Sequence, residues 1–270
     1  MFRIVLSVSA EAAMLRSALL LLTALGIATA TAPMPETPAP QESRALATDT
    51  VQAGSPVLDP GVLRPYQLRR ELTMTRGDSV RPFGRQSEVL TADTVDGRAV
   101  LLHVVTFDTP NALTVDSSWV DPVTLSPIRM QSSNQFRVVD LEFGTGTVRA
   151  TTTPADSAPT TSEHPLAVRA FEWNMLPLAL SSLPLRPGYT ARIPVFSDRA
   201  GQVVWYSLRV AADTFLTRAS GHRSPMWQIV ARADWGGPDA QWWVSQRHHF
   251  VDQALVSEPG VSILYAREGL

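Results

Sequence analysis

The sequence predicts a mainly β protein: an antiparallel open barrel, half-barrel or sandwich of about a dozen strands, closed around one short buried helix. Three observations carry this expectation. Short segments alternate apolar and polar residues, the period of a half-buried strand. Turn signals built on Gly, Pro, Asn and Asp recur every ~8–12 residues, the spacing of sandwiches and barrels. One segment, 171–184, is too rich in Leu and too poor in β-branched residues to be a strand, and it interrupts the series.

Composition sets the frame. The chain has 270 residues, 44% hydrophobic and 18% charged, enough apolar material for one large β domain. Its net charge of -2 gives no reason to expect nucleic acid as a partner. Every basic residue is Arg, scattered rather than clustered. There is no cysteine, which excludes disulfides, a lipid-bearing N-terminal cysteine, thiolate metal sites and Cys nucleophiles.

The N-terminus reads as an export signal. Arg16 precedes an apolar run from Ser17 to Ile27, followed by Ala28-Thr29-Ala30. A basic start, a run too short to span a bilayer and an A-x-A site are the layout of a secretory signal peptide over residues 1–30. Met14 is placed to be the true start, and Pro33 favours cleavage after Ala30. The expectation is an exported chain, periplasmic or extracellular and soluble after cleavage. Uncleaved, the same run would serve as an anchor. Residues 31–62, rich in Pro, Ala and Thr, are expected to form a flexible tether, and 63–270 a single β-rich domain.

Within that domain Leu68, Leu72 and Met74 share one strand face while Arg69, Glu71 and Thr73 share the other. Gly77 and Pro82-Phe83-Gly84 are expected to break the pattern. Residues 86–95 and 98–107 flank Asp96-Gly97, a dipeptide suited to a type I′ hairpin turn. The run from Ala99 to Val105 is apolar on both faces, which predicts a strand covered on both sides. Prolines at 122 and 127 mark a turn, and Gly144-Thr145-Gly146 marks a hairpin. Residues 151–165 are expected to form an exposed loop. Three further hairpins follow, around 197–201, 236–239 and 258–260.

The Leu-rich segment is divided by its prolines. Pro177 disfavours helical backbone at Leu176, and a first turn beginning at Asn174, a good N-cap, would tolerate proline only in its opening positions. The expectation is therefore an approach ending near Met175 and a short helix from Pro177 to Leu183. Arg186-Pro187-Gly188-Tyr189 then suits a type II turn. Leucine on nearly every side of so short a helix predicts burial all round. It reads as a plug packed inside the curved sheet.

Motifs for chemistry are missing. There is no G-x-S-x-G elbow, P-loop, dinucleotide fingerprint or H-E-x-x-H pair. Of five His, only His248-His249 with Asp252 nearby suggests a metal, and adjacent strand residues point to opposite faces. The reading is therefore no metal, no cofactor and no assigned catalytic residue, with His103 a core histidine. Aromatic residues are more suggestive. Trp205, Trp227, Trp235, Trp242 and Trp243 all fall in the C-terminal half. Trp242 and Trp243 are adjacent, so one points to each face and at least one needs a cover or a ligand. Phe171, Met175, Leu178, Trp205, Trp242 and Trp243 are the candidate ligand-binding residues.

Several phrases carry a family likeness. The turn Asp121-Pro122-Val123-Thr124-Leu125-Ser126-Pro127, the 171–185 segment, Pro187-Gly188-Tyr189 and Trp242-Trp243-Val244 occur in an order that resembles the exported bacterial proteins of domain of unknown function 3108. The resemblance covers roughly 66–267. It implies an antiparallel β-rich envelope protein and supplies no catalytic residues. A looser, architectural likeness is to periplasmic lipoprotein carriers, half-barrels with helical lids over an apolar cavity.

Together these readings predict a non-enzymatic envelope protein that binds an apolar, lipid-like ligand. The alternatives are a structural or protein-interaction module without a cavity, and a hydrolase acting on glycans or peptides, which would need convergent carboxylates in a cleft.

Overall fold

A computed structural model describes residues 48–218, 220–234 and 239–268. The expected signal peptide with its alternative start at Met14, the tether up to residue 47, and Trp235 lie outside the described residues. The strands are β1 Asp49–Thr50, β2 Tyr66–Arg76, β3 Ser79–Val95, β4 Arg98–Asp108, β5 Leu113–Val120, β6 Pro127–Ser133, β7 Arg137–Phe143 and β8 Thr147–Pro154. They continue with β9 Thr160–Pro165, β10 Phe171–Glu172, β11 Thr190–Ser197, β12 Gln202–Thr217, β13 Arg223–Ala233, β14 Asp239–Ser245, β15 Val251–Glu258 and β16 Val261–Arg267. The helix, α1, is Leu176–Ser181.

All 16 strands belong to one open sheet. β2 to β9 form one antiparallel meander and β11 to β16 a second. The pairing of β16 with β2, Tyr265 opposite Leu72, joins them into a continuous surface. Two short strands, β1 and β10, pair in parallel with successive stretches of β11. The expected open antiparallel fold with one short buried helix is the fold observed.

The sheet curls because its inner face is apolar and the plug lies against it. The chain leaves β9 near one edge, runs through the interior as β10 and α1, and rejoins the sheet at β11 near the other edge. Leu176, Leu178 and Leu180 are buried in a core that includes Ile193, Val195, Ile229 and Val244 from the second meander and Leu90 and Val120 from the first. A smaller core joins the far strands to the start of the sheet. There Met130, Val139, Leu141 and Val148 meet Phe196 of β11, and His164 of β9 lies 5.5 Å from the Phe196 ring.

Local expectations met several outcomes. Asp96 and Gly97 both have positive φ (52° and 75°), as a type I′ turn requires. Gly188 has φ 77°, and the Tyr189 N–H donates to the Arg186 carbonyl at 3.0 Å, the expected turn. Pro82-Phe83-Gly84 does not end a strand. It lies inside the 17-residue β3 as a bulge, with Leu72 opposite Gly84 and Thr73 opposite Pro82. A Cβ on Gly84 would strike the Asp108 carbonyl oxygen of β4, which is why glycine stands there. The loop expected over 151–165 is a correction: most of it pairs as β8 and β9, from Thr147 opposite Pro165 to Thr152 opposite Thr160. Thr is a good strand former, Pro154 and Pro165 sit at strand ends, and Pro159 falls in the turn between them, where they cost the ladder little.

The tether also ends earlier than its composition suggested. Val51, Ala53 and Leu58 are buried in the main core, and the Asp59 N–H donates to the Ser182 carbonyl at 2.9 Å. Three apolar side chains outweigh the prolines around them. The expectation that β4 is covered on both faces holds only on the inside. His103 and Val105 are buried, whereas Leu102 and Val104 on the opposite face are half-buried.

Candidate functional site

The approach to the plug is a 3-10 turn, Trp173–Met175, that runs directly into α1. Its cap is Glu172. The Glu172 Oε2 accepts the Asn174 N–H at 2.8 Å, while the Ser118 hydroxyl donates to Oε1 at 2.6 Å. Leu176 takes helical backbone, φ −56° and ψ −41°, in spite of the following proline. Its burial outweighs the local bias, so the helix starts one residue earlier than its prolines suggest. Further along, the His249 ring nitrogen lies 3.3 Å from the Ser181 carbonyl. The plug is thus tied down at both ends.

A cavity of about 90 Å³ opens between this turn and the inner face of β2–β4 and β14–β16. Its walls are apolar: Val105, Phe107, Trp242, Ala254, Val256 and Tyr265. The plug contributes Trp173, Leu176 and Pro177. Trp173 is 42% exposed, an unusual state for a large aromatic, and stands 5.6 Å from the Tyr206 ring.

The cavity floor is polar. Arg70 and Glu88 form a fully buried ion pair. Arg70 also donates to Gln86 at 2.7 Å and to the Val251 and Asp252 carbonyls, so four of its five N–H donors are committed. Glu88 accepts from the Tyr66 hydroxyl and lies 3.0 Å from His103 Nε2. Burial opposes charge on Glu88, but Arg70, His103 and Tyr66 outweigh it and hold the carboxyl far below its usual range. Tyr66, buried beside that carboxylate, is pushed well above its ordinary value. Glu172 goes the other way. Burial raises it to about 7, only partly offset by Ser118, the Asn174 N–H and His103. Two carboxyls on one inner face are thereby separated, one charged and one holding its proton near neutrality. Most of the hydrogen-bonding groups of the floor are committed to one another. Its chemistry is to position, and the walls offer apolar contact.

The predicted ligand residues divide. Trp242 lines the cavity, with Trp173 and Leu176 from the plug. Phe171, Met175 and Leu178 are fully buried in the core behind it. Trp205 and Trp243 are not brought to it: each lies on the opposite face of the sheet and is half-buried, Trp205 beneath Arg192 at 4.9 Å. Strand parity decides this. Trp242 shares its face with Val244, so Trp243 must point away. Sequence reasoning passed over Arg70, Glu88 and Trp173. The signal was present for the first two: Arg70 shares parity with Leu68 and Leu72, and Glu88 with Leu90, so both are charges at core-facing positions. His103 is a core histidine with a specific partner. Among the described residues no group of three His, Asp or Glu is arranged to hold a metal, and His248 stacks on Phe250 at 6.0 Å.

A family model described as "Protein of unknown function (DUF3108)" matches residues 69–259, which run from β2 to the end of β15 and include the plug. The chain belongs to this family. No curated protein matches it.

Proposed function

We propose that this is a non-enzymatic protein of the cell envelope that binds the apolar end of a lipid-like ligand in the cavity beside the plug. The observation that carries the reading is an apolar, aromatic-walled cavity with the exposed Trp173 among its lining residues. Its volume limits what enters. About 90 Å³ is less than the ~150 Å³ that holds one benzene and well below the ~300–1,000 Å³ of ordinary ligand pockets. The cavity therefore takes a chain end or one small ring, with the remainder of the ligand outside. The export signal read in residues 14–32 supports the envelope placement.

The test is titration of the purified protein with decanoate, followed by tryptophan emission and native mass spectrometry. Saturable binding is expected, with the emission change lost in Trp173→Phe and affinity reduced about tenfold in Ala254→Leu, which fills the cavity. No bound ligand and no response would refute it. That result would favour the second reading, a structural or interaction module, which the all-round burial of α1 supports.

A further inference from the structure

A second, larger cleft shares no lining residue with the plug cavity and lies where the loop between β12 and β13 meets the turn between β14 and β15. It encloses about 600 Å³, within the range of small-molecule sites. Its charge is one-sided. Arg218, Arg247 and Arg267 line it with His222 and His248, against a single carboxylate, Asp252. Counting His as neutral, three cations against one anion leave two positive charges.

Both loops hold these groups in place through their own backbone. In the first, the Arg218 N–H donates to the His222 carbonyl at 2.9 Å and the Gly221 N–H to the Arg218 carbonyl at 2.8 Å. Gly221 supplies the positive φ of 80° that so tight a loop needs. In the second, the Ser245 N–H donates to the Phe250 carbonyl at 2.9 Å, and the Ser245 hydroxyl accepts the His248 N–H at 3.2 Å.

Asp252 organises the cations without saturating them. It is 1% exposed, and its Oδ2 lies 3.5 Å from Arg218 and 3.8 Å from Arg267, both beyond good hydrogen-bond range. Those two arginine side chains stay 23% and 32% exposed. Arg267 is further fixed over the Phe250 ring at 5.5 Å, while Arg247 is exposed. The Asp252 Oδ1 has no partner. Guanidinium groups held in place with N–H donors to spare are suited to oxyanions, which they bind through paired hydrogen bonds. Ser220 and Ser224 add hydroxyl donors at the same cleft.

We propose that this cleft is a second binding site that takes a phosphoryl group borne on a polyol. The two net positive charges match a phosphate monoester of charge about −1.5 to −2. The volume exceeds what bare phosphate fills, and the hydroxyls of Ser220 and Ser224 on its wall suit the hydroxyls of a polyol. A soluble polyol phosphate and the headgroup of an anionic phospholipid share the phosphoryl group and the polyol, the phosphodiester headgroup carrying less charge than the monoester.

The experiment titrates the full chain calorimetrically with glycerol 3-phosphate at low ionic strength. In parallel, it is sedimented with vesicles of phosphatidylglycerol or of phosphatidylcholine. Arg247 has no partner among the described residues, so Arg247→Ala and Arg247→Glu leave the fold intact. The expected result is saturable binding, weakened about tenfold or more by Arg247→Ala, further by Arg247→Glu, and progressively by salt. Binding of the soluble ester without vesicles assigns a soluble ligand. Sedimentation with phosphatidylglycerol alone, lost in Arg247→Glu, assigns a lipid headgroup. Failure of both probes, or binding indifferent to Arg247→Glu, overturns the proposal. Ala254→Leu is expected to leave this binding unchanged, so the cleft and the plug cavity are judged separately.

Discussion

Replacing Glu172 by Gln tests the polar half of the interior directly. Glu172 is buried, and its carboxyl is raised to about 7 by that burial, against 4.5 in the open chain. The folded state therefore holds a proton that the unfolded chain has released between these values. Stability contributed by the neutral acid is fully present below about 4.5 and falls as pH rises through about 7. The difference amounts to about 3 kcal/mol. Gln mimics the neutral acid: its amide can donate to the Ser118 oxygen, whose hydroxyl rotates, while its carbonyl accepts the Asn174 N–H. Urea unfolding of both proteins at pH 5.0 and pH 8.5 is the assay. Near pH 5 the variant should match the wild type within ~1 kcal/mol, and at pH 8.5 it should exceed it by about 3 kcal/mol. An equal difference at both pH values would refute the reasoning, because a lost or gained hydrogen bond alone has no such pH dependence.

The remaining expectations concern the plug, the buried pair and the bulge. Leu180→Ala, at a fully buried helix position, should cost about 2–5 kcal/mol in urea unfolding. Arg70→Met leaves Glu88 buried without its cation and should cost about 3–5 kcal/mol at neutral pH. Because the Glu88 carboxyl is held down in the fold, its contribution is present above about 4.5 and is lost as pH falls below that value. Acid unfolding followed by circular dichroism should be flatter in the variant. Gly84→Ala meets both the Asp108 carbonyl and a φ of 152°, and should lower stability by at least ~1–3 kcal/mol, visible as a fall in melting temperature.

Legibility in the sequence followed the range of the interaction involved. The Asp96-Gly97 turn could be read because a type I′ turn needs two positive φ values within two residues. The division of the plug by Pro177 could be read for the same local reason, although its first residue could not: tertiary burial of Leu176 overrode the bias against helix before proline. Thr-rich β8 and β9 looked like a loop because they carry few apolar residues, so the period-two signal of a half-buried strand is missing although each pairs with its neighbour in the chain. The burial of Val51 and Leu58 depends on α1 and β11, more than 100 residues away, and no local pattern announces it.

The candidate sites divide along the same line. Period-two alternation alone determines that Trp242 and Trp243 face opposite ways. It also places Arg70 and Glu88 on core-facing positions. Which face becomes the interior is decided only when β16 pairs with β2 and the sheet curls around the plug. That closure buries Arg70 and Glu88, already neighbours across the β2–β3 hairpin, as the floor of a cavity, and it leaves Trp243 outside. The cationic cleft is more strongly tertiary still, since Arg218, Arg247 and Arg267 sit on three separate segments that no sequence spacing relates. By itself the sequence determined most of the strands and turns and the existence of the plug, because these rest on contacts between near neighbours. The tertiary structure alone decided which charges are buried and which distant groups meet, as Glu172 meets Ser118 and Arg218 nears Asp252, because these require the backbone to bring separate parts of the sheet together.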